Sequence, residues 1–382
     1  MTQFLPFALP DIGDEEIAEV VRSLRSGWLS TGPRARAFED AFAAMLGGGV
    51  HTVAVNSATA GLHLAVEALG IGPGDQVIVP THTFTATAEV VRYVGADVIF
   101  ADIDPETYCI DPRQIESRAT ARTKAVIPVH YGGQGCDMRA ILEISQQLGL
   151  AVVEDAAHAL PTHVGGKLVG TLDSDCAVFS FYATKTITTG EGGMLVTRDE
   201  RIASRARVMR LHGIDRDAFD RYQSNRPSWY YEVIAPGFKY NLTDLAAAIG
   251  LQQLGRTTAF HARRLQLAER YDMELAELPI RLPPRSDGKD HAWHLYVIQL
   301  LDTASLARDE FIARMHEGGI ACSVHYIPLH QQPYWRQRYD LKAADFPHSQ
   351  GLFERCVSLP IYTKMSDDDQ SRVVNQIRRL LQ

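Results

Sequence analysis

From Asn56 to Tyr182, apolar stripes of helical period alternate with short β-branched runs, a pattern that predicts a largely parallel sheet with helices on its faces. NSATAGLHLAVEAL places Leu62, Ala65, Val66 and Leu69 on one stripe and reads as a helix over 56–69. The strand VIVP (77–80) follows, then a helical stretch to Val94, the strand VIFAD (98–102), a helix opened by Pro112 and the run AVIPVHY (125–131). DMRAILEISQQLG, with Ile141, Ile144 and Leu148 in phase, leads to the strands AVVED (151–155) and AVFSFY (177–182). After Asn241 the pattern becomes one long helical stretch, residues 242–275, which reads as a spine joining two domains. LPIRLPPRSDGKD (278–290) is rich in proline and charge and reads as a loop. HLYVIQL, a helix around Arg308 to Glu317 and a closing helix DDDQSRVVNQIRRLL complete a small α+β domain. The expected division is 1–255 for an N-terminal segment with a large α/β domain, and 256–382 for the small one.

Composition narrows the class of function. The 382 residues are 46% hydrophobic and 22% charged, the balance of a globular protein with a sizeable core. A net charge of -8 provides no global positive field for nucleic acid or anionic lipid, so any anion has to be held locally. Five scattered cysteines without CxxC spacing argue against a zinc site and a disulfide framework and point to the cytoplasm. The N-terminus lacks a basic region before its proline-broken apolar run, so no signal peptide is expected, and no apolar stretch reaches the ~18 residues of a spanning helix. His130, His158 and His163 have no metal-binding spacing, and no metal is expected.

Polar residues that end apolar strands are the first candidates for chemistry, because ligands of open α/β sheets bind beyond the strands' carboxyl ends. AVVED delivers Asp155, whose burial demands a cation or donors; a protonated pyridine nitrogen would serve, as would a following helix that the carboxylate caps. AVFSFY delivers Ser180 and then Lys185 in ATKTITTGEGG, where partial desolvation would free the amine to attack an aldehyde; a solvated loop lysine is the plainer reading. Ser57, Ala58 and Thr59 open the first helix, where free N–H groups favour a phosphate, although Ser57 and Thr59 also suit ordinary capping. Phe84 in PTHTFTAT would either stack on a ligand ring or pack in the core.

Together these segments resemble the DegT/DnrJ/EryC1/StrS family of sugar aminotransferases. The resemblance starts at SGWLSTGPRARAFEDAFA, continues through PTHTFTATA, FADIDPETYCIDP, VVEDAAHALPTHVGGKLVG, FSFYATKTITTGEGGMLVT and PGFKYNLTDLAAAIGLQQL, and ends at VHYIPLHQQPYW and SLPIYTKMSDDD. It implies an α/β fold of fold type I, with a large domain on a mostly parallel seven-stranded sheet and a smaller C-terminal α+β domain. It also implies pyridoxal phosphate as cofactor, with pyridoxamine phosphate as its alternate form. Lys185 takes the Schiff-base position, Asp155 the pyridinium partner, Phe84 the stacking aromatic, and Ser57, Ala58, Thr59 and Ser180 the phosphate cradle. His158 stands near the phenolic oxygen, where many relatives have glutamine. Asn241 in KYNLTD resembles the asparagine that reaches a neighbouring subunit's cofactor, implying a homodimer with shared active sites; capping the next helix is its plainer role.

The same resemblance implies transfer of an amino group from an amino acid, L-glutamate by family habit, to a keto sugar carried on a nucleotide. Such products feed cell-surface polysaccharide, lipopolysaccharide or secondary-metabolite synthesis. His158 and the phrases FSFYATKTIT and APGFKYNLTDL lean toward relatives that form 4-amino-4-deoxy-L-arabinose on UDP, hence C4 before C3. The related dehydratases carry histidine at the lysine position, and a non-catalytic regulator would be expected to have lost Lys185 or Asp155. A nicotinamide enzyme is disfavoured because no strand runs into G-x-G-x-x-G. Thr31, Arg210, His212, His325 and Tyr326 are candidate substrate-side residues, with solvated or packed positions as the alternative.

Overall fold

The computed structural model describes residues 4–215, 229–285 and 290–382. Its main sheet has seven strands in the order β1 (His51–Val55), β9 (Gly193–Thr197), β8 (Cys176–Ser180), β5 (Ala151–Asp155), β4 (Thr123–Val126), β2 (Gln76–Pro80) and β3 (Asp97–Ala101). The strands β8, β5, β4, β2 and β3 pair in parallel, while β9 runs antiparallel to both β8 and β1. Two of the seven, HTVAV and GMLVT, do not stand out in the apolar pattern of the sequence. The run AVIPVHY is a strand only as far as Val126, because Pro128 has no N–H to give a ladder.

Alternation along each strand sends apolar side chains to both faces. Val53, Val55, Val77, Val79, Val153, Val178 and Leu195 join one cluster, whereas Ala54, Phe179, Met194 and Val196 join a second and Ile78, Val126 and Val152 a third. A sheet apolar on both sides has to be covered on both. On the first face lie α3 (Ala58–Ala68), α4 (Ala86–Tyr93) and α7 (Glu200–Met209); on the other lie α2 (Pro33–Met45), α5 (Pro112–Arg118) and α6 (Met138–Leu148).

The expected spine is two helices, α8 (Asp244–Gly255) and α9 (Thr257–Leu275), interrupted at Arg256. Gly255 is a poor helix former, and the Arg256 guanidinium is held by Asp11 (2.9 Å) and Glu16 (3.0 Å) next to α1 (Asp14–Ser26). The stretch 278–290 expected as a loop contains the short strand β10 (Ile280–Arg281), and its residues 286–289 lie outside the described residues. β10 joins β11 (Tyr296–Leu300) and β12 (Cys356–Leu359) in a three-stranded antiparallel sheet. Leu267, Tyr271 and Leu275 from α9 and Val373 and Ile377 from the closing helix Asp367–Leu381 pack on it. Leu5 belongs to this second core and bonds Gly319 and Ala321, so the N-terminal segment begins in the small sheet's core before it reaches the large one.

Candidate active site

Four parallel strands deliver polar groups at their carboxyl ends. β1 passes into α3 through Ser57, Ala58 and Thr59; β2 leads to Thr83 and Phe84; β5 ends in Asp155 with His158 three residues on; β8 ends in Ser180 and its turn carries Lys185. All of these, with His294, His325 and Tyr326 from the second half of the chain, line one cavity of about 490 Å³. The backbone at the start of α3 comes close to β9. A Cβ on Gly193 would lie 2.7 Å from Ala58 N, so only glycine lets the antiparallel strand pass beneath the helix terminus. Ser57 Oγ accepts the Ala60 N–H (3.1 Å) and Ser57 O the Gly61 N–H (3.1 Å). The N–H groups of Ala58 and Thr59 are left for an anion. Ser57 is thus a helix cap and a cavity residue at once.

Asp155 is buried, and burial pushes its carboxyl above the usual range, opposed by the Thr87 hydroxyl on Oδ2 (2.8 Å), the Ala157 N–H on Oδ1 (3.2 Å) and the charge of Lys185. Donors so few leave a buried carboxylate in want of a cation. Lys185 lies in the turn after β8 and is exposed only in part, onto the cavity it lines. Burial lowers its amine to about 8, with Asp155 pulling the other way. Phe84 is 57% exposed, with Tyr326 at 5.9 Å between ring centroids, so it is a cavity aromatic and not plain core. Burial depresses the imidazoles of His158 and His294 well below their usual range and that of His325 to about 4. The cavity therefore offers an anion cradle, a basic amine, a carboxylate able to face a cationic ring nitrogen and an exposed ring to lie against it. That donor set fits pyridoxal phosphate.

The remaining candidates lie outside this cavity. Asn241 is buried, donating through Nδ2 to Thr31 Oγ1 (2.6 Å), which donates to Leu242 O (2.6 Å). It does not cap α8: Thr243 does, accepting from Ala246 N at 3.2 Å. Arg210 takes no part in the cavity, because its guanidinium is buried against Glu39 and donates to Ala54 O (2.9 Å), holding β1 from behind. His212 is exposed, with its N–H on Phe238 O (2.7 Å). Sequence reasoning missed Thr87, which lies in PTHTFTAT but gives no sign of meeting Asp155, and His294, which reads as part of a strand. Among the described residues, no group of three or more His, Cys, Asp or Glu side chains could hold a metal ion, and no helix is long and apolar enough to cross a membrane.

The DegT/DnrJ/EryC1/StrS aminotransferase family model matches residues 10–378. The chain is 49% identical over 382 residues to the spore coat polysaccharide biosynthesis protein SpsC of Bacillus subtilis (strain 168), covering 99% of this chain and 97% of that one. Among solved structures it is similar to Spr1654 from Streptococcus pneumoniae in its PMP-form, with a TM-score of 0.92 and 31% identity over 98% of both chains. Spr1654 is also solved in its PLP-form, with a TM-score of 0.91. Helicobacter pylori PseC, an aminotransferase involved in the biosynthesis of pseudoaminic acid, matches with a TM-score of 0.91 and 25% identity over 99% of both chains.

Proposed function

The chain belongs to the DegT/DnrJ/EryC1/StrS aminotransferase family and is a pyridoxal-phosphate-dependent sugar aminotransferase, and from that premise we propose that it moves the amino group of L-glutamate to a keto carbon, C4 before C3, of a nucleotide-linked sugar. The observation that carries this reading is Lys185 and Asp155 opening onto one cavity with the α3 N-terminus. Polysaccharide biosynthesis in the name of SpsC and pseudoaminic acid in that of PseC support an activated sugar as acceptor. The preference for C4 rests on His158 standing where many relatives have glutamine.

Pyridoxal phosphate supplies an aldehyde for the amine and a ring that takes up the electron pair released when the donor's Cα–H bond breaks. In this reading Ala58 and Thr59 bind its phosphate through backbone N–H groups, with Ser57 and Ser180 beside them. Asp155 keeps a proton on the ring nitrogen, and Phe84 covers a ring face. Lys185 Nζ, neutral in a large fraction near pH 8, would take the proton from the donor's Cα and pass it to the cofactor's aldehyde-derived carbon, and in the second half of the cycle would carry a proton from that carbon to the former keto carbon of the sugar. His325 and Tyr326 form the sugar side of the cavity. Asn241, Thr31 and His212 do not line their own chain's cavity, and we assign them to a neighbouring subunit's site in a homodimer. The exposed apolar side chains of Trp229 (74%), Val233 (63%) and Ile234 (60%) favour such a partner.

The test is the visible absorption of the protein with pyridoxal phosphate, beside Lys185→Ala. A lysine-dependent band that L-glutamate bleaches and a UDP-linked 4-keto sugar restores is expected. A wild-type protein without that band would end the reading; bleaching by glutamate with no recovery on any nucleotide-linked keto sugar would remove its acceptor.

A further inference from the structure

His158 has two ring nitrogens and, when neutral, one proton. The Gly132 N–H donates to Nδ1 at 3.2 Å, so Nδ1 carries none. Burial, with Lys185 and His325 nearby, keeps the imidazole neutral. The proton is therefore on Nε2, which lies 2.9 Å from Tyr326 Oη; the imidazole donates and the phenol oxygen accepts. Tyr326 is left with its own O–H to give, and burial raises its pKa, which keeps that proton in place. Its position is fixed from behind. The carbonyl of His325 receives His82 Nε2–H at 3.1 Å and the Tyr131 hydroxyl, and His325 Nδ1 meets Ser358 Oγ at 2.9 Å.

We propose that Tyr326, not His158, is the hydrogen-bond donor that this wall presents to the bound ligand, and that its acceptor is an oxygen: the ring hydroxyl oxygen of pyridoxal phosphate or the carbonyl oxygen of the keto sugar. His158 is a positioning residue whose single proton is already given to Tyr326. The inference rests on the aminotransferase reading of the cavity and names the group that touches the ligand there.

Tyr326→Phe removes the hydroxyl and keeps the ring against Phe84. With the cofactor oxygen as acceptor, the variant shifts the visible band of the pyridoxal-phosphate-loaded protein and weakens cofactor binding in equilibrium dialysis about tenfold, the worth of one hydrogen bond to a charged acceptor. With the sugar oxygen as acceptor, band and glutamate half-reaction stay as in the wild type, while kcat/KM for a UDP-linked 4-keto sugar falls about tenfold. Either result supports the proposal. A variant that melts with the wild type and changes none of these overturns it. His158→Gln should keep the wild-type behaviour, since an amide can accept from Gly132 with its oxygen and donate to Tyr326 with its nitrogen. His158→Leu should move in the direction of Tyr326→Phe, and does so with the phenol still in place if Tyr326→Phe folds poorly. Equal loss in His158→Gln and His158→Leu would sink the positioning role. A wild-type protein lacking the lysine-dependent band fails at the earlier step, and sinks the aminotransferase reading together with this inference.

Discussion

Lys185 and Asp155 feel opposed effects of one environment, and the proposed chemistry rests on both. Burial takes the lysine from 10.5 to about 8 while the aspartate's charge resists the fall. About a tenth of the amine is then neutral at pH 7, against well under a thousandth for an ordinary lysine. His158, His294 and His325 also feel its charge, and burial holds all three imidazoles below their usual range, that of His325 at about 4. Capture of pyridoxal phosphate by the apo protein should accordingly quicken about fivefold between pH 7 and pH 8 and by about a further twofold at most above it, as stopped-flow absorbance will show. Asp155→Asn separates the two duties proposed for the carboxylate. Without its attraction the lysine midpoint drops below 8, so capture at pH 7 speeds up. The glutamate half-reaction slows on the order of 10²-fold, since the ring nitrogen loses its charged partner. A variant in which both rates move the same way would refute that division. At this scale the sequence was informative about residue type and place, and silent about partners: nothing in PTHTFTAT announces that the Thr87 hydroxyl meets Asp155, or that Gly132 fixes the tautomer of His158.

The elements explain why these side chains stand where they do. The proposed phosphate cradle needs β9 to run antiparallel beneath the start of α3, and Gly193 is the residue that permits the approach. Gly193→Val should weaken pyridoxal phosphate binding at least tenfold and cost about 1–3 kcal/mol of stability, because the methyl groups push on backbone and not on a flexible side chain. Dialysis and urea unfolding measure the two. The start of α8 offers a cleaner separation. Thr243→Ala removes the cap and should cost about 1 kcal/mol, while Asn241→Ala leaves the cap intact. A loss of stability confined to Asn241→Ala would show that the asparagine holds the helix after all. The same stretch shows where periodicity misleads: 242–275 keeps a helical pattern throughout, yet Arg256, drawn to Asp11 and Glu16, divides it in two. β1 and β9 are not legible in the sequence because five-residue runs such as HTVAV and GMLVT carry too little pattern to separate strand from buried helix.

At the scale of the whole molecule, one cavity is assembled from both halves of the chain, and a second copy is proposed to complete it. If Asn241 serves the neighbouring subunit, Lys185→Ala and Asn241→Ala homodimers should each be impaired. Unfolding and refolding them together should recover roughly a quarter of wild-type activity, because half the dimers are mixed and each of these has one intact site. No recovery, or a monomer in light scattering, would refute the shared site. What the sequence determined by itself is what depends on order and spacing along the chain. It dictated the alternation of buried strands and amphipathic helices, the polar residues that end those strands, and the resemblance carried by the motifs between SGWLSTGP and SLPIYTKM. Tertiary structure decided what depends on distances across the chain. It turned Arg210 toward Glu39 and away from the cavity, gave the cap of α8 to Thr243, and set Asp244 to accept the N–H groups of Gly32 and Ala35 at the start of α2. It also brought Tyr326 against His158. Hydrogen bonds and burial act over a few ångströms between groups as much as 352 residues apart, and no local pattern records such pairings.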